Sequence, residues 1–197
     1  MVRMTKLRII SGSLKGRYVS TGEEANFRPT QERVRESVAE IVKKKILGAA
    51  AADLCAGSGA FGFEMLSRGA KSVDFVEADG RLADKIAANA AALGVTEKIK
   101  VIRDDVSRFA GTSANRYDVI FYDPPYDVAE LQELVPKLLS LLTESGMLIY
   151  ERRRGRKEKT PDTIGKTNIA DVRIYSDTVI EIYKRENNAD SALPGNI

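Results

Sequence analysis

Apolar positions recur along the chain with two different periods. Residues 7–20 alternate and read as two short strands around Gly12-Ser13-Leu14-Lys15-Gly16, a hairpin. Over residues 30–47 the period lengthens. Val34, Val38, Ile41, Val42 and Leu47 fall near one face of a helix that Thr30 can cap. Short apolar runs then alternate with helical ones. Strands are expected at 50–55, 72–76, 99–103, 117–122 and 146–150, and helices at 61–68, 81–93 (ended by Gly94) and 128–142. Such alternation predicts an α/β fold, a doubly wound sheet of seven strands with helices on both faces and an N-terminal β-hairpin extension. Residues 152–168 read as a polar, basic loop. Residues 170–175 and 178–184 read as an antiparallel pair joined at Ser176-Asp177, and 187–197 as a frayed tail. The expected division is a hairpin extension at 1–28, the main domain at 29–186 and the tail. A ligand is expected outside the carboxyl ends of the strands, at the switch point of the sheet.

Composition narrows the chemistry. The chain of 197 residues has one cysteine, Cys55, and no histidine. An intramolecular disulfide, a His/Cys zinc site and histidine acid–base catalysis are therefore excluded. Catalysis has to rest on carboxylates, amides, backbone groups, Lys/Arg or Tyr, and no metal is expected. No apolar run has the length of a membrane span and the N-terminus lacks a signal-type apolar stretch, so the cytoplasm is the expected location. No exposed apolar stripe is evident, and a monomer is expected. Net charge is +3, but the positive residues cluster. Arg3, Lys6, Arg8, Lys15 and Arg17 form one group, Arg28, Arg33 and Arg35 a second, and Arg152, Arg153, Arg154, Arg156, Lys157 and Lys159 a third. Clusters on a near-neutral chain suit a polyanion, and the three are expected to form one basic rim around the pocket that contacts phosphates. The competing account is an ordinary solvated face.

Four motifs carry candidate chemistry. Asp53-Leu54-Cys55-Ala56-Gly57-Ser58-Gly59-Ala60-Phe61-Gly62 holds a G-x-G-x-x-G pattern between a strand and a helix. Gly57 and Gly59 let the backbone turn tightly and approach a ligand. The pattern also suits NAD, but the strand ends in an acid, Asp53. An acid suits a ligand's ammonium group better than a pyrophosphate, which favours S-adenosyl-L-methionine (AdoMet). Glu77, followed by Ala78, ends the next strand, where a carboxylate can accept both hydroxyls of a ribose. Asp104-Asp105-Val106 follows the third strand. Asp105 is the favoured acceptor for an adenine amino group, with Val106 as apolar wall, although either aspartate could instead cap the next segment. Asp123-Pro124-Pro125-Tyr126 ends the fourth. An amino group on a base is a poor nucleophile, because its lone pair is delocalised into the ring. Asp123 and the carbonyl of Pro124 could accept both of its N–H bonds and draw the nitrogen toward tetrahedral geometry. Pro124 and Pro125 give a rigid, acceptor-rich turn, and Tyr126 could stack on a flipped base.

Together, residues 53–59 and Asp123-Pro124-Pro125-Tyr126 resemble the cofactor and catalytic motifs of class I AdoMet-dependent amino-methyltransferases. Further segments are similar to the RsmD family of bacterial 16S rRNA (guanine-N2)-methyltransferases. They are Gly12-Ser13-Leu14-Lys15-Gly16-Arg17, Arg28-Pro29-Thr30, Arg33-Val34-Arg35-Glu36-Ser37, residues 57–64 and Ser67-Arg68-Gly69-Ala70. This resemblance spans about residues 7–184. It implies a Rossmann-like class I methyltransferase fold and transfer of a methyl group from AdoMet to the N2 of a guanine in small-subunit ribosomal RNA, free or in an assembling subunit. It further implies that Arg28, Pro29 and Thr30 flank the methionine end of AdoMet. Ser176 departs from the pattern, standing where a glycine is usual. The alternatives are an adenine-N6 or other nucleic-acid amino-methyltransferase and, more distantly, an NAD-dependent oxidoreductase. The latter leaves residues 123–126 without a role.

Overall fold

A computed structural model describes residues 5–22, 29–125, 133–155, 163–164 and 167–185. The chain opens with an antiparallel hairpin, β1 (Thr5–Arg8) and β2 (Tyr18–Gly22). Helix α1 (Pro29–Ile46) follows, then β3 (Ala50–Leu54), α2 (Ala60–Ser67), β4 (Ser72–Val76), α3 (Gly80–Leu93), β5 (Ile99–Ile102), α4 (Val106–Thr112) and β6 (Tyr117–Tyr122). Helix α5 (Val135–Ser140) leads to β7 (Leu142–Arg153), β8 (Thr163–Ile164), β9 (Thr167–Tyr175) and β10 (Thr178–Lys184). Seven strands form the sheet in the order β5-β4-β3-β6-β7-β10-β9, and the two-residue β8 adds at the β9 edge. β5, β4, β3, β6 and β7 are parallel, and β10 runs antiparallel to both of its neighbours. The winding reverses between β3 and β6, the switch point of the doubly wound sheet. No helix among the described residues is long and apolar enough to cross a membrane.

Strand alternation feeds two cores. Val119, Phe121, Met147, Ile149, Ile180 and Ile182 pack toward α1, α2, α3 and the hairpin. Ile120, Tyr122, Leu148, Tyr150 and Tyr183 pack toward α4 and α5. Local signals set the ends of α3. Asp79 accepts from the backbone nitrogens of Arg81 (2.7 Å) and Leu82 (3.4 Å), and Gly94 turns left-handed at φ 71°. Ser176, in the turn between β9 and β10, also holds positive φ (56°), a conformation that glycine adopts at lower cost.

Several elements differ from the expectation: α4 was not expected, β9 starts at Thr167 instead of residue 170, and β8 lies inside the expected loop at 152–168. Residues 128–132 of the expected helix lie outside the described residues, as does the tail at 187–197. Leu142 opens β7 instead of closing a helix, because it pairs with Tyr117 at the start of β6. β7 also continues beyond Tyr150 through Arg153, because β10 supplies a full ladder there, with Val179 opposite Arg152 and Thr178 opposite Arg153.

The hairpin is keyed into α2. Glu64, 1% exposed, accepts from the backbone nitrogens of Ile10 (2.8 Å) and Ser11 (3.1 Å) and from Arg68 Nε (2.8 Å). The Ser67 carbonyl accepts from the Ser13 nitrogen (2.7 Å), and Ser67 Oγ accepts from the Leu14 nitrogen (2.9 Å). The backbones meet because Gly12 has no side chain. A Cβ there would lie 1.9 Å from the Ser67 carbonyl oxygen, and Gly12 has φ +85°. Gly12→Ala is therefore expected to unseat the turn and cost about 2 kcal/mol or more. A urea unfolding midpoint equal to that of the parent would contradict this packing.

Candidate functional site

Five parallel strands end at one edge of the sheet, and the candidate site residues gather there. β3 delivers Asp53 to the base of the glycine turn. Its carboxylate, 2% exposed, accepts from the Gly62 nitrogen at 2.8 Å. Gly62 can sit that close because it lacks a side chain. A Cβ would come within 2.2 Å of the Phe75 ring and 3.0 Å of Asp53 Oδ2. Burial is the main cause that pushes the Asp53 carboxyl up to about 8. The Gly62 hydrogen bond opposes the shift and the charge of Glu77 adds to it. Cys55, Gly57 and Gly59 all have positive φ, at 58°, 56° and 76°. At Gly57 an added Cβ would meet nothing within 4 Å, so the turn borders open space.

Glu77 follows β4 and braces the turn from the other side. Oε2 accepts from the Gly57 nitrogen (2.7 Å) and Oε1 from the Asp79 nitrogen (2.9 Å). Ala78 beside it is exposed. After β5, Asp104 accepts from the Asp105 nitrogen (2.9 Å), and Asp105 caps α4 by accepting from the Ser107 nitrogen (2.8 Å). Val106, 4% exposed, packs into the core on the α4 side, which leaves little of it as a wall for a ring.

Asp123 follows β6, half-buried, with its nitrogen donating to the Leu54 carbonyl across the switch point (3.4 Å). Pro124 is buried and Pro125 exposed. Burial, then the charges of Glu151 and Asp53, hold the Asp123 carboxyl well above the usual carboxylate range. Cys55 lies among these acids. Burial, with Glu77, Asp123, Asp53 and Asp105 around it, pushes its thiol up to about 12. Five carboxylates thus crowd one strand edge beside an open backbone turn. Such a field favours a positively charged ligand and disfavours a phosphate. Glu151 escaped the sequence reading, since one acid before a run of arginines looks like an ordinary surface charge.

The basic residues divide. Arg152 is not in a loop. It lies within β7, 6% exposed, and its Nε donates to Glu181 Oε1 at 2.7 Å, while Tyr183 donates to the other Glu181 oxygen at 2.5 Å. Buried and paired, Arg152 is withdrawn from the expected phosphate contacts. Arg17 is held by the carbonyls of Leu93 (2.9 Å) and Ala92 at the end of α3, where the helix dipole favours a cation. Lys15 is exposed in the turn seated on Ser67. Ser67 ends α2, which returns from the glycine turn to the start of β4, so Lys15 stands at the edge opposite Asp123. The single continuous rim around the pocket is corrected accordingly. Arg8 is exposed, and its carbonyl accepts from Arg35 (3.0 Å). Arg153 and Arg154 are exposed, and the register of β7 against β6 carries them past Asp123 on the site's edge. Pro29, Thr30 and Arg33 lie in the first turns of α1. Arg28, Tyr126 and Arg156 lie outside the described residues.

Known proteins resemble this chain over most of its length. A family described as "Conserved hypothetical protein 95" matches residues 7–184. "Putative rRNA methyltransferase YlbH" of Bacillus subtilis is 33% identical over 91% of this chain and 99% of its own. "Ribosomal RNA small subunit methyltransferase D" of Escherichia coli is 31% identical over 74% of this chain and 71% of its own. Among solved structures, "Putative methyltransferase yhhF" from Escherichia coli superimposes with a TM-score of 0.79 at 26% identity, covering 92% of this chain and 99% of that one.

The site makes two predictions. Unfolded, the Asp53 carboxyl ionises near 3.8; folded, it does so near 8. Its contribution to stability is fully present below about 3.8 and is lost as pH rises through about 8, because the folded state keeps a proton that the unfolded chain gives up. In cofactor-free protein, Asp53→Asn should therefore flatten the fall in melting temperature between about pH 5 and about pH 8. An identical pH dependence in both proteins would contradict the buried carboxyl. Arg152→Ala should strand Glu181 in the core and lower stability by about 3–5 kcal/mol, read from the urea midpoint. A midpoint matching the parent's would show that the pair is not buried.

Proposed function

The chain belongs to the family described as conserved hypothetical protein 95, that of the small-subunit ribosomal RNA methyltransferase D enzymes, and on that premise we propose that it transfers a methyl group from AdoMet to the exocyclic N2 of a guanine in small-subunit ribosomal RNA. The observation that carries this reading is the placement of Asp123 and Pro124 across the switch point from the glycine turn. Acceptors for an amino group stand there beside a cradle whose charge suits a cation. The protein acts as a cytoplasmic monomer on free RNA or an assembling subunit. The hairpin at 1–28 and the main domain at 29–186 work as one body through the Glu64 and Ser67 contacts.

The residues present fit the cofactor. Bound AdoMet supplies a methyl group on a cationic sulfur. Gly57 gives space at the turn, Glu77 offers carboxylate oxygens for ribose hydroxyls, and the acid cluster, Asp53 included, would ionise more readily beside the ammonium and sulfonium charges. On the family resemblance, Arg28, Pro29 and Thr30 would flank the methionine end, and Asp105 and Ala78 would border the nucleoside side. Asp123 would accept one hydrogen of the target amine and the Pro124 carbonyl the other, which would localise the nitrogen lone pair for attack. Once the bond forms, Asp123 is the base within reach of the surplus proton. The base must leave its stack, and an aromatic ring such as that of Tyr126 could stack on it. Arg153 and Arg154 contact phosphates at this edge, with Arg8 further along the surface, and the same role is assigned to Arg33 and Arg156 on their charge alone. An NAD-dependent oxidoreductase fits less well, because Glu77 already occupies the Gly57 nitrogen that a pyrophosphate would need.

Incubation with AdoMet and small-subunit ribosomal RNA, followed by nucleoside mass spectrometry, should yield N2-methylguanosine. Asp123→Ala should lower the transfer rate by about 100-fold or more, the scale of a lost acid–base group, while calorimetry shows AdoMet affinity little changed. Near-normal turnover in Asp123→Ala, or product only at adenine N6, would overturn the assignment.

A further inference from the structure

Helix α3 buries Ala83, Ile86, Ala90 and Leu93. Asn89 lies among them, 6% exposed, the one polar side chain of the buried face. A buried amide needs partners for its oxygen and for both hydrogens on its nitrogen. Asn89 has all three. Its Oδ1 accepts from the Ser20 nitrogen (3.0 Å), and its Nδ2 donates to the Ser20 carbonyl (2.9 Å) and to the Ser58 carbonyl (3.4 Å). One side chain thus joins α3, the hairpin strand β2 and the glycine turn.

Within the turn, the Ser58 bond completes a pattern. Glu77 holds the Gly57 nitrogen, and the Ala56 carbonyl of the same peptide accepts from the Gly59 nitrogen (2.8 Å). That nitrogen belongs to the Ser58–Gly59 peptide, whose carbonyl is the one Asn89 holds. Both peptides are therefore fixed at both ends. The peptide between them, Gly57–Ser58, makes no hydrogen bond among the described residues and is the one left for a ligand. Ile86, one turn before Asn89, closes on Gly59, where a Cβ would lie 3.3 Å from its Cγ1. Helix α3 thus grips the turn at two successive residues. We propose that Asn89 is a positioning residue for AdoMet: it fixes the Ser58–Gly59 peptide so that the Gly57–Ser58 peptide is presented to the cofactor, and it ties that arrangement to β2 through Ser20. Without the amide, the Ser58 carbonyl loses its partner and its peptide is free to rotate. By linkage, a cofactor that favours the fixed turn also favours the Ser20 contact. This rests on the glycine turn as the AdoMet site and not on which base is methylated.

The test reads AdoMet binding alone, by calorimetry below the melting temperature. Asn89→Ala should raise the AdoMet dissociation constant by about 10-fold, within the range for a buried hydrogen-bonding group left unpaired. Gly12→Ala, which loosens the hairpin at the opposite edge, should leave that constant within about 2-fold, as for distant sites. Both variants lower the melting temperature, so the comparison separates positioning from stability. A second measurement needs no variant. In the wild-type protein, saturating AdoMet should slow hydrogen exchange at the Ser20 amide, which is bonded to Asn89, by about 3-fold or more beyond any slowing at the Leu14 amide, which is bonded to Ser67. An Asn89→Ala protein that binds AdoMet like the parent overturns the inference. So does equal weakening in the two variants, or equal slowing at the two amides. Each of these results leaves the proposed reaction standing. A parent protein that does not bind AdoMet overturns the cofactor reading itself and this inference with it.

Discussion

The hydrogen bond from the Gly62 nitrogen to the buried carboxyl of Asp53 is the constraint on which the site depends. It ties the end of β3 to the first turn of α2, and it forms only because Gly62 lets the Phe75 ring and the Asp53 carboxyl close in on bare backbone. With the helix fixed from below, residues 55–59 have a short path to cover and do so through left-handed turns. Glu77 then holds the Gly57 nitrogen from the neighbouring strand. Two carboxylates shape the turn before any ligand arrives, so little ordering remains for binding to accomplish.

Charge is sorted by depth. Acids collect where the parallel strands end, and burial, with their mutual repulsion added, raises the pKa values of Asp53 and Asp123. A cationic ligand relieves that repulsion. Positive charge is held outside this group. Arg17 and Arg152 serve the fold, one at a helix end and one inside the sheet, whereas Arg153 and Arg154 remain exposed beside the site. A methyl donor with a cationic sulfur and a polyanionic acceptor make opposite electrostatic demands, and this arrangement meets them in adjacent places.

The architecture was legible because its signals are local. The strands at Ser72–Val76 and Tyr117–Tyr122 stand where their apolar runs placed them, and Gly94 stops α3 as its position suggested. The carboxylates at strand ends were legible for the same reason. What escaped the sequence depends on partners far along the chain. Arg152 looks like its exposed neighbours until β10 brings Glu181 across from it. Glu151 gains meaning only when β6 and β7 are aligned. Leu142 continues an apolar run, and its pairing with Tyr117 decides for strand over helix. Glu64 did carry a readable signal, a lone acid within the apolar stretch Phe61-Gly62-Phe63-Glu64-Met65-Leu66, where burial demands a partner. Its partner, the hairpin turn, lies over fifty residues earlier in the chain. The Gly12 and Ser67 segments that carried the family resemblance turn out to be the two sides of that joint.

The central claim is that the acceptors at Asp123 and Pro124 serve a guanine amine of small-subunit ribosomal RNA. Its most direct measurement is nucleoside mass spectrometry of that RNA from cells with and without this protein. The account predicts that one N2-methylguanosine disappears in the deletion strain and returns when the gene is restored. An unchanged set of N2-methylguanosines, or the loss of a methylated adenine instead, would contradict it.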